Sequence, residues 1–211
     1  MRKGSRIILS LDVEDRKRAL DTVQMLKDLV DAVKVGYPIV LENGMGIVDE
    51  ISRIIPVICD FKVADIPNTN ILIANIVKRH GAEGLIAHGF TGSDSLEAVV
   101  KAFNPGSVFA VVEMTHPGAT EFMQEKSIQI AKMAISKGVS GFIVPGTRPA
   151  RIRIYREMSE DILLLAPGIG AQGGEAKRAF ENGADYVIIG RAIYHANDPV
   201  SATMEIIKSI S

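Results

Sequence analysis

Residues 57–88 read VICDFKVADIPNTNILIANIVKRHGAEGLIAH. Val57–Lys62 is short, apolar and rich in β-branched residues, as a buried strand is, and Gly84–His88 is a second run of that kind. Between them Thr69–His80 has helical periodicity and ends at His80-Gly81, where a helix C-terminus wants a residue tolerant of positive φ. The stretch is a strand–helix–strand unit, and the pattern repeats outward from it in both directions. Ile7–Val13, Ala32–Gly36, Val57–Lys62, Gly84–His88, Val108–Met114, Gly141–Val144, Ile162–Pro167 and Tyr186–Gly190 form eight apolar runs about 25 residues apart. Helical segments such as Arg16–Leu29 and Ser127–Ser136 lie between them, with Lys137-Gly138 and Asn182-Gly183 marking further helix ends. Strict alternation demands a parallel sheet with crossover helices, and eight units close most naturally into a (β/α)8 barrel, the TIM-barrel class of α/β fold. No linker or composition shift divides the chain, so residues 1–211 are expected to form one domain.

Composition agrees with a compact enzyme-sized body. The chain has 211 residues, 47% hydrophobic and 23% charged, with a mean hydropathy of +0.19. A chain of that size hides roughly 70% of its unfolded surface, and the composition excludes disorder. A net charge of -1, 5% aromatics and no Trp leave no electrostatic or stacking platform for nucleic acid. The single cysteine, Cys59, excludes an internal disulfide and any CxxC metal spacing, which suits a reducing cytoplasm. The start Met1-Arg2-Lys3-Gly4 is briefly basic, but Ser10 and Asp12 interrupt the apolar stretch after it. Neither a secretory signal nor a membrane span is expected.

In such barrels chemistry sits at the C-terminal strand ends. In Cys59-Asp60-Phe61-Lys62 the period of two puts Asp60 and Lys62 on one face, which must be the inner one, and sends Cys59 and Phe61 outward to pack on helices. Cys59 is then an inert buried thiol. The same alternation groups Ile8, Ser10 and Asp12 on the first strand and directs Lys34 inward on the second. Asp65 completes an Asp-x-Lys-x-x-Asp pattern, so five charges, Asp12, Lys34, Asp60, Lys62 and Asp65, are expected on one rim. Charges in an apolar mouth cost several kcal/mol each unless they alternate in sign and pair. A structural ion-pair network closing the barrel is one reading. The other is catalytic: a lysine among carboxylates stays protonated and becomes a positioned proton donor. A carboxylate beside it would destabilise a substrate's own negative group until that group departs, which fits decarboxylation followed by protonation of a carbanion.

The seventh run leads into Ala166-Pro167-Gly168-Ile169-Gly170-Ala171-Gln172-Gly173-Gly174, and the eighth into Gly190-Arg191. Ordinary tight turns would explain the glycines. Their place after strands seven and eight is the usual phosphate site of this architecture, with Arg191 as a permanently charged, forked ligand. A small phosphorylated substrate is expected. His80 should end a helix and His195 should lie in a polar loop; His88 and His116 are able to reach the rim, but no His/Cys cluster points to a metal. Met25, Met45, Met133 and Met158 sit in helical stretches and read as packing residues.

Taken in order, Asp12, Lys34, Asp60-Phe61-Lys62-Val63-Ala64-Asp65-Ile66-Pro67-Asn68-Thr69, Met114-Thr115-His116-Pro117-Gly118, Pro167–Gly174 and Gly190-Arg191 resemble the orotidine 5'-phosphate decarboxylase family, in particular its short microbial form, over nearly the whole chain. The Asp-x-Lys-x-x-Asp pattern is shared with 3-keto-L-gulonate 6-phosphate decarboxylases and hexulose phosphate synthases. Those magnesium-dependent relatives carry a glutamate on the second strand, where this chain has Lys34.

The resemblance implies loss of the C6 carboxylate of orotidine 5'-monophosphate as carbon dioxide to give uridine 5'-monophosphate, a step of pyrimidine biosynthesis, with no cofactor or metal. It implies that Lys62 protonates C6, that Asp60 lies against the departing carboxylate, and that Asp12 and Lys34 hold the ribose hydroxyls. Thr115 would meet the pyrimidine edge, Pro167 would lie in the substrate pocket, Gln172 would bridge pyrimidine and phosphate, and Gly190 with Arg191 would bind the phosphate. Asp65 and Thr69 would reach the partner's site in a homodimer. Two departures stand out. The family usually has serine where this chain has Thr115, and the chain passes straight from Gly174 into Glu175-Ala176-Lys177-Arg178-Ala179, where relatives often have a longer closing insert. A shorter lid would turn less phosphate-binding energy into closure. The competing functions are a magnesium-dependent sugar-phosphate decarboxylase or aldolase, and a nucleotide-binding barrel without catalysis.

Overall fold

Every apolar run becomes a strand buried on both faces, and the eight strands pair in parallel in chain order, with β8 returning to β1 to close the barrel. The computed structural model describes residues 4–210, so the basic start at Met1-Arg2-Lys3 lies outside the described residues. The first half comprises β1 Ile7–Leu11, α1 Arg16–Leu26, β2 Ala32–Gly36, α2 Tyr37–Asn43, α3 Gly46–Ser52, β3 Val57–Val63, α4 Pro67–Arg79 and β4 Gly84–His88. The second comprises α5 Ser93–Phe103, β5 Ser107–Val111, α6 Met123–Ser136, β6 Gly141–Ile143, α7 Pro149–Met158, β7 Leu163–Pro167, α8 Ala176–Glu181, β8 Tyr186–Ile189, α9 Arg191–Tyr194 and α10 Pro199–Ile210. A 3-10 turn at Pro117–Thr120 stands before α6. This is a single-domain (β/α)8 barrel.

The strands end earlier than hydropathy suggests. β1 stops at Leu11 rather than Val13, and β5 at Val111 rather than Met114, because the residues beyond leave the ladder to form the rim loops. β3 runs one residue further, to Val63. Two of the helical stretches begin earlier, at Pro67 and Met123, and the first ends at Leu26 rather than Leu29. Proline in the first turn of α2, α4 and α7 costs no hydrogen bond, and Asp15 caps α1 by accepting the Arg18 backbone N–H at 2.7 Å.

Alternation along the strands builds two apolar layers. Ile8, Ile58, Ile86, Phe109, Leu165 and Ile188 fill the barrel interior, while Leu9, Val33, Cys59, Phe61 and Val187 pack outward under the helices. Cys59 is fully buried in that outer layer, where burial and then the nearby Asp60 charge push its thiol up to about 12. Met45, Met133 and Met158 pack against the same layer, but Met25 is 50% exposed on α1 and is not a packing residue. Among the described residues no helix is long and apolar enough to cross a membrane.

Candidate active site

The inner face of β3 carries the centre of the site. Asp60 and Lys62 leave the barrel interior above Ile58, and Lys34 stands beside them because β2 pairs in the register Lys34↔Ile58 and Gly36↔Asp60. Lys34 Nζ lies 2.9 Å from Asp60 Oδ2, and Lys62 Nζ lies 2.9 Å from Oδ1 and 3.0 Å from Oδ2. One carboxylate is therefore held by two ammonium groups. Burial alone would raise the Asp60 pKa, but the charges and hydrogen bonds of Lys34 and Lys62 outweigh it and hold the carboxyl below its usual range. Lys62 adopts φ +42°, in the left-handed region, where the β3–β4 register shifts between Cys59 and Val63. A non-glycine residue there stores on the order of 1–3 kcal/mol of strain, sustained by its surroundings.

Asp12 follows β1 and accepts the Ser10 hydroxyl at 3.0 Å. It reaches the cluster because Gly36 has no side chain: a Cβ there would stand 3.2 Å from Asp12 Oδ1 and 3.9 Å from Lys34 Nζ. The second anchor lies across the ring. β3 and β7 are four strands apart in the closed order, so the loop after β7 faces Asp60 and Lys62 across the ring, while the turn after β8 lies beside the β1 end that carries Asp12. Gly168, at φ +92°, opens the first loop, and a Cβ on it would meet Thr147 Cγ2 at 3.0 Å, Thr115 Cγ2 at 3.1 Å and Gln172 Oε1 at 3.4 Å. Only glycine fits both that conformation and that space. The loop is strapped internally, Gly174 N–H to Gly168 O at 3.1 Å and Gly170 N–H to Gly174 O at 2.8 Å, and α8 begins two residues later.

Between the two anchors is a cavity of about 660 Å³, of the size that takes a small ligand. In ring order Asp12, Lys34, Asp60 and Lys62 line it from the first three strands, Thr115 from the segment after β5, Pro167 from the end of β7, Gln172 from the loop after it, and Gly190 and Arg191 from the turn after β8, which closes back onto β1. The floor is apolar, made by Ile86, Val111, Ile143 and Ile188. Asp65 and Thr69 are not in this lining. Asp65 is exposed and its carboxylate accepts the Ile66 N–H, so four of the five expected charges converge and the fifth points elsewhere.

The match to family models covers residues 5–206 and falls on the orotidine 5'-phosphate decarboxylase / HUMPS family. The chain belongs to this family. It is 48% identical over 209 residues to the orotidine 5'-phosphate decarboxylase of Methanococcoides burtonii, covering 98% of this chain and 97% of that one. The orotidine 5'-monophosphate decarboxylase of Methanocaldococcus jannaschii, crystallised with the inhibitor BMP, superposes with a TM-score of 0.93 at 42% identity over 97% of this chain and 98% of that one. The Pyrococcus horikoshii orotidine 5'-phosphate decarboxylase gives 0.91 at 44% identity over the same shares of the two chains.

Other members of this orotidylate decarboxylase-family cavity were not singled out from sequence. Tyr194 lines it three residues after Arg191, a helical i,i+3 relation that was available as a signal. Pro38 and Met114 also line it. Of the histidines, His116 reaches the cavity, whereas His88 lies behind the wall with Nδ1 buried and without a hydrogen bond. Burial and then the Lys62 charge lower the His88 pKa to about 4, so the ring is neutral at neutral pH. His80 caps α4 and pairs with Asp49 at 2.9 Å. His195 opens the turn between α9 and α10, as the C-cap of the short α9, and packs edge-on against Tyr194. Among the described residues no group of three His, Cys, Asp or Glu is placed to hold a metal.

Proposed function

We propose that this barrel decarboxylates orotidine 5'-monophosphate to uridine 5'-monophosphate and carbon dioxide. The observation that carries the reading is the Lys34–Asp60–Lys62 arrangement sharing one cavity with Arg191 and Gln172. Arg191 and the amides around Gly190 take the phosphate, Gln172 spans phosphate and pyrimidine, Thr115 takes the pyrimidine edge, and Asp12 with Lys34 takes the ribose hydroxyls. The nucleotide's C6 carboxylate then lies against Asp60. Two anions forced together raise the energy of the bound substrate more than that of the transition state, in which the carboxylate charge is leaving. The C6–carboxylate bond breaks, its electron pair stays on C6, and Lys62 Nζ delivers a proton to that carbon and recovers one from water.

The donor set favours this chemistry over that of the magnesium-dependent relatives. Both oxygens of Asp60 are engaged by ammonium groups, and Lys34 puts a cation where a divalent ion would need an anion. The working unit is a homodimer in which Asp65 and Thr69 complete the partner's cavity. Support comes from their position outside the cavity of their own chain and from the apolar residues Ile66, Leu72 and Ile76 exposed on and beside α4. Incubation of the purified protein with orotidylate in EDTA tests the function. Uridylate and carbon dioxide should appear in equal amounts at the rate seen without chelator. Activity abolished by EDTA and restored by magnesium would assign the chain to the metal-dependent branch, and binding of uridylate without turnover would reduce it to a nucleotide-binding barrel.

A further inference from the structure

Glu113 is fully buried just beyond β5, outside the cavity, and is the hub of a charged cluster with no part in the chemistry above. Its Oε1 lies 3.0 Å from an Arg148 guanidinium nitrogen, and its Oε2 accepts Arg151 Nε–H at 2.8 Å and the Tyr155 hydroxyl at 2.7 Å. Arg151 also donates to Ser127 Oγ on α6 at 2.8 Å. An ion cluster this buried is a poor source of stability, because its desolvation offsets most of the attraction and an apolar replacement is often as stable. What it does fix is geometry. The Arg148 nitrogen that meets Glu113 also donates to the Met114 carbonyl, and the Thr147 hydroxyl approaches the Thr115 carbonyl at 3.5 Å. Met114 and Thr115 both line the cavity, and the Thr115 and Thr147 methyl groups close on Gly168 at the start of the phosphate loop.

We infer that Glu113 is a positioning residue: through Arg148 it sets the Met114–Thr115 peptide, and so the wall against which the base of the nucleotide packs. The inference rests on the proposed orotidylate site, and it separates the base end from the phosphate end. Loss of Glu113 frees Arg148 and lets the Met114 carbonyl turn, while the loop after β7 keeps its internal Gly168–Gly174 and Gly170–Gly174 hydrogen bonds and the turn after β8 keeps those of the Ile193 and Tyr194 N–H groups to the Gly190 carbonyl.

The test compares Glu113→Gln, Arg148→Met and the double variant with wild type by calorimetric binding of uridylate and of ribose 5-phosphate, with KM and kcat for orotidylate alongside. Each single variant should bind uridylate at least tenfold more weakly and ribose 5-phosphate within twofold of wild type. The double variant should be no worse than either single one, since both cut the same arm. Tyr155→Phe, which removes the hydroxyl at the far side of the cluster, should lower the melting temperature with both affinities kept. In the Glu113 and Arg148 variants, equal weakening of both ligands, or unchanged affinities with a lowered melting temperature, would make Glu113 merely structural and overturn the inference. If Glu113→Gln does not fold, Arg148→Met, at the more open end of the cluster, carries the same comparison. Wild-type turnover reports separately on the function itself, because the binding ratio is read without chemistry.

Discussion

Replacing Lys34 by methionine leaves Asp60 ionised in a nearly closed site with one ammonium partner instead of two. The pair is 2.9 Å long with both side chains only 10% exposed. At an effective dielectric of about 20 the gross attraction at that distance is about 6 kcal/mol, most of it offset by the cost of drying both charges. Breaking one side of such a buried pair typically costs 3–5 kcal/mol, because the remaining charge is stranded. Lys62 still touches both Asp60 oxygens, so the loss should sit near the lower end, about 3 kcal/mol, or a melting temperature lower by roughly 6–12 °C for a domain of this size. Lys17→Met is the control. Its pair with Asp21 is 87% and 58% exposed and screened by solvent, so its loss should leave the melting temperature unchanged. Urea unfolding of Lys34→Met, Asp60→Asn and the double variant at neutral pH reads the coupling. The double variant should be more stable than Lys34→Met, since it no longer buries an under-paired anion. The pH dependence has a fixed sign. A carboxylate whose folded pKa is depressed stabilises above its unfolded pKa and loses that contribution as pH falls through the folded value. The gap between wild type and Lys34→Met should therefore narrow in acid. Strict additivity of the two substitutions, with no narrowing, would refute a buried, charge-coupled Lys34–Asp60 pair.

Lys62→Ala should reduce turnover by at least roughly a thousandfold, about 4 kcal/mol of barrier, with uridylate affinity largely kept; equal turnover removes Lys62 as the proton donor. Mixing Lys62→Ala chains with Asp65→Asn chains should restore part of the activity through hybrid dimers holding one intact site, and absence of complementation after demonstrated subunit exchange would place Asp65 in its own chain's chemistry. Arg191→Ala should raise KM and lower kcat for orotidylate while leaving the weak binding of uridine unchanged; an unaltered KM removes Arg191 from the phosphate site. His88 has a folded pKa near 4, lowered by burial and then by Lys62. The unfolded chain therefore binds the extra proton first, and stability should fall as pH drops from about 6.5 to about 4, by about 2 kcal/mol after discounting for partial exposure. His88→Asn should flatten stability across that window, and an unchanged slope there would show that His88 titrates normally.

What the chain spells out locally was legible, and what depends on distant partners was not. The period of two alone placed Asp60, Lys62, Lys34 and Asp12 on an inner face, and chain-order closure then brought Gln172, across the ring from Asp60, and Gly190 with Arg191, beside the β1 end, into the same cavity. Glu113 escaped because its meaning lies in Arg148, Arg151 and Tyr155, which are 35 to 42 residues away and meet it only after β5 and α7 pack. Asp65 was misplaced for a different reason: spacing fixes which face a strand residue takes, but Asp65 comes after β3 has ended, where the turn into α4 decides its direction. Lys62 shows how the two kinds of information join. In a regular strand, side chains two residues apart stand about 7 Å apart at the backbone and run parallel. The left-handed φ at Lys62 departs from that geometry, and its ammonium lies on both oxygens of Asp60. Asp-x-Lys fixes only that the two side chains share a face; the left-handed φ at Lys62 and the register shift against β4 mark where the chain leaves the ladder with the ammonium held on the carboxylate.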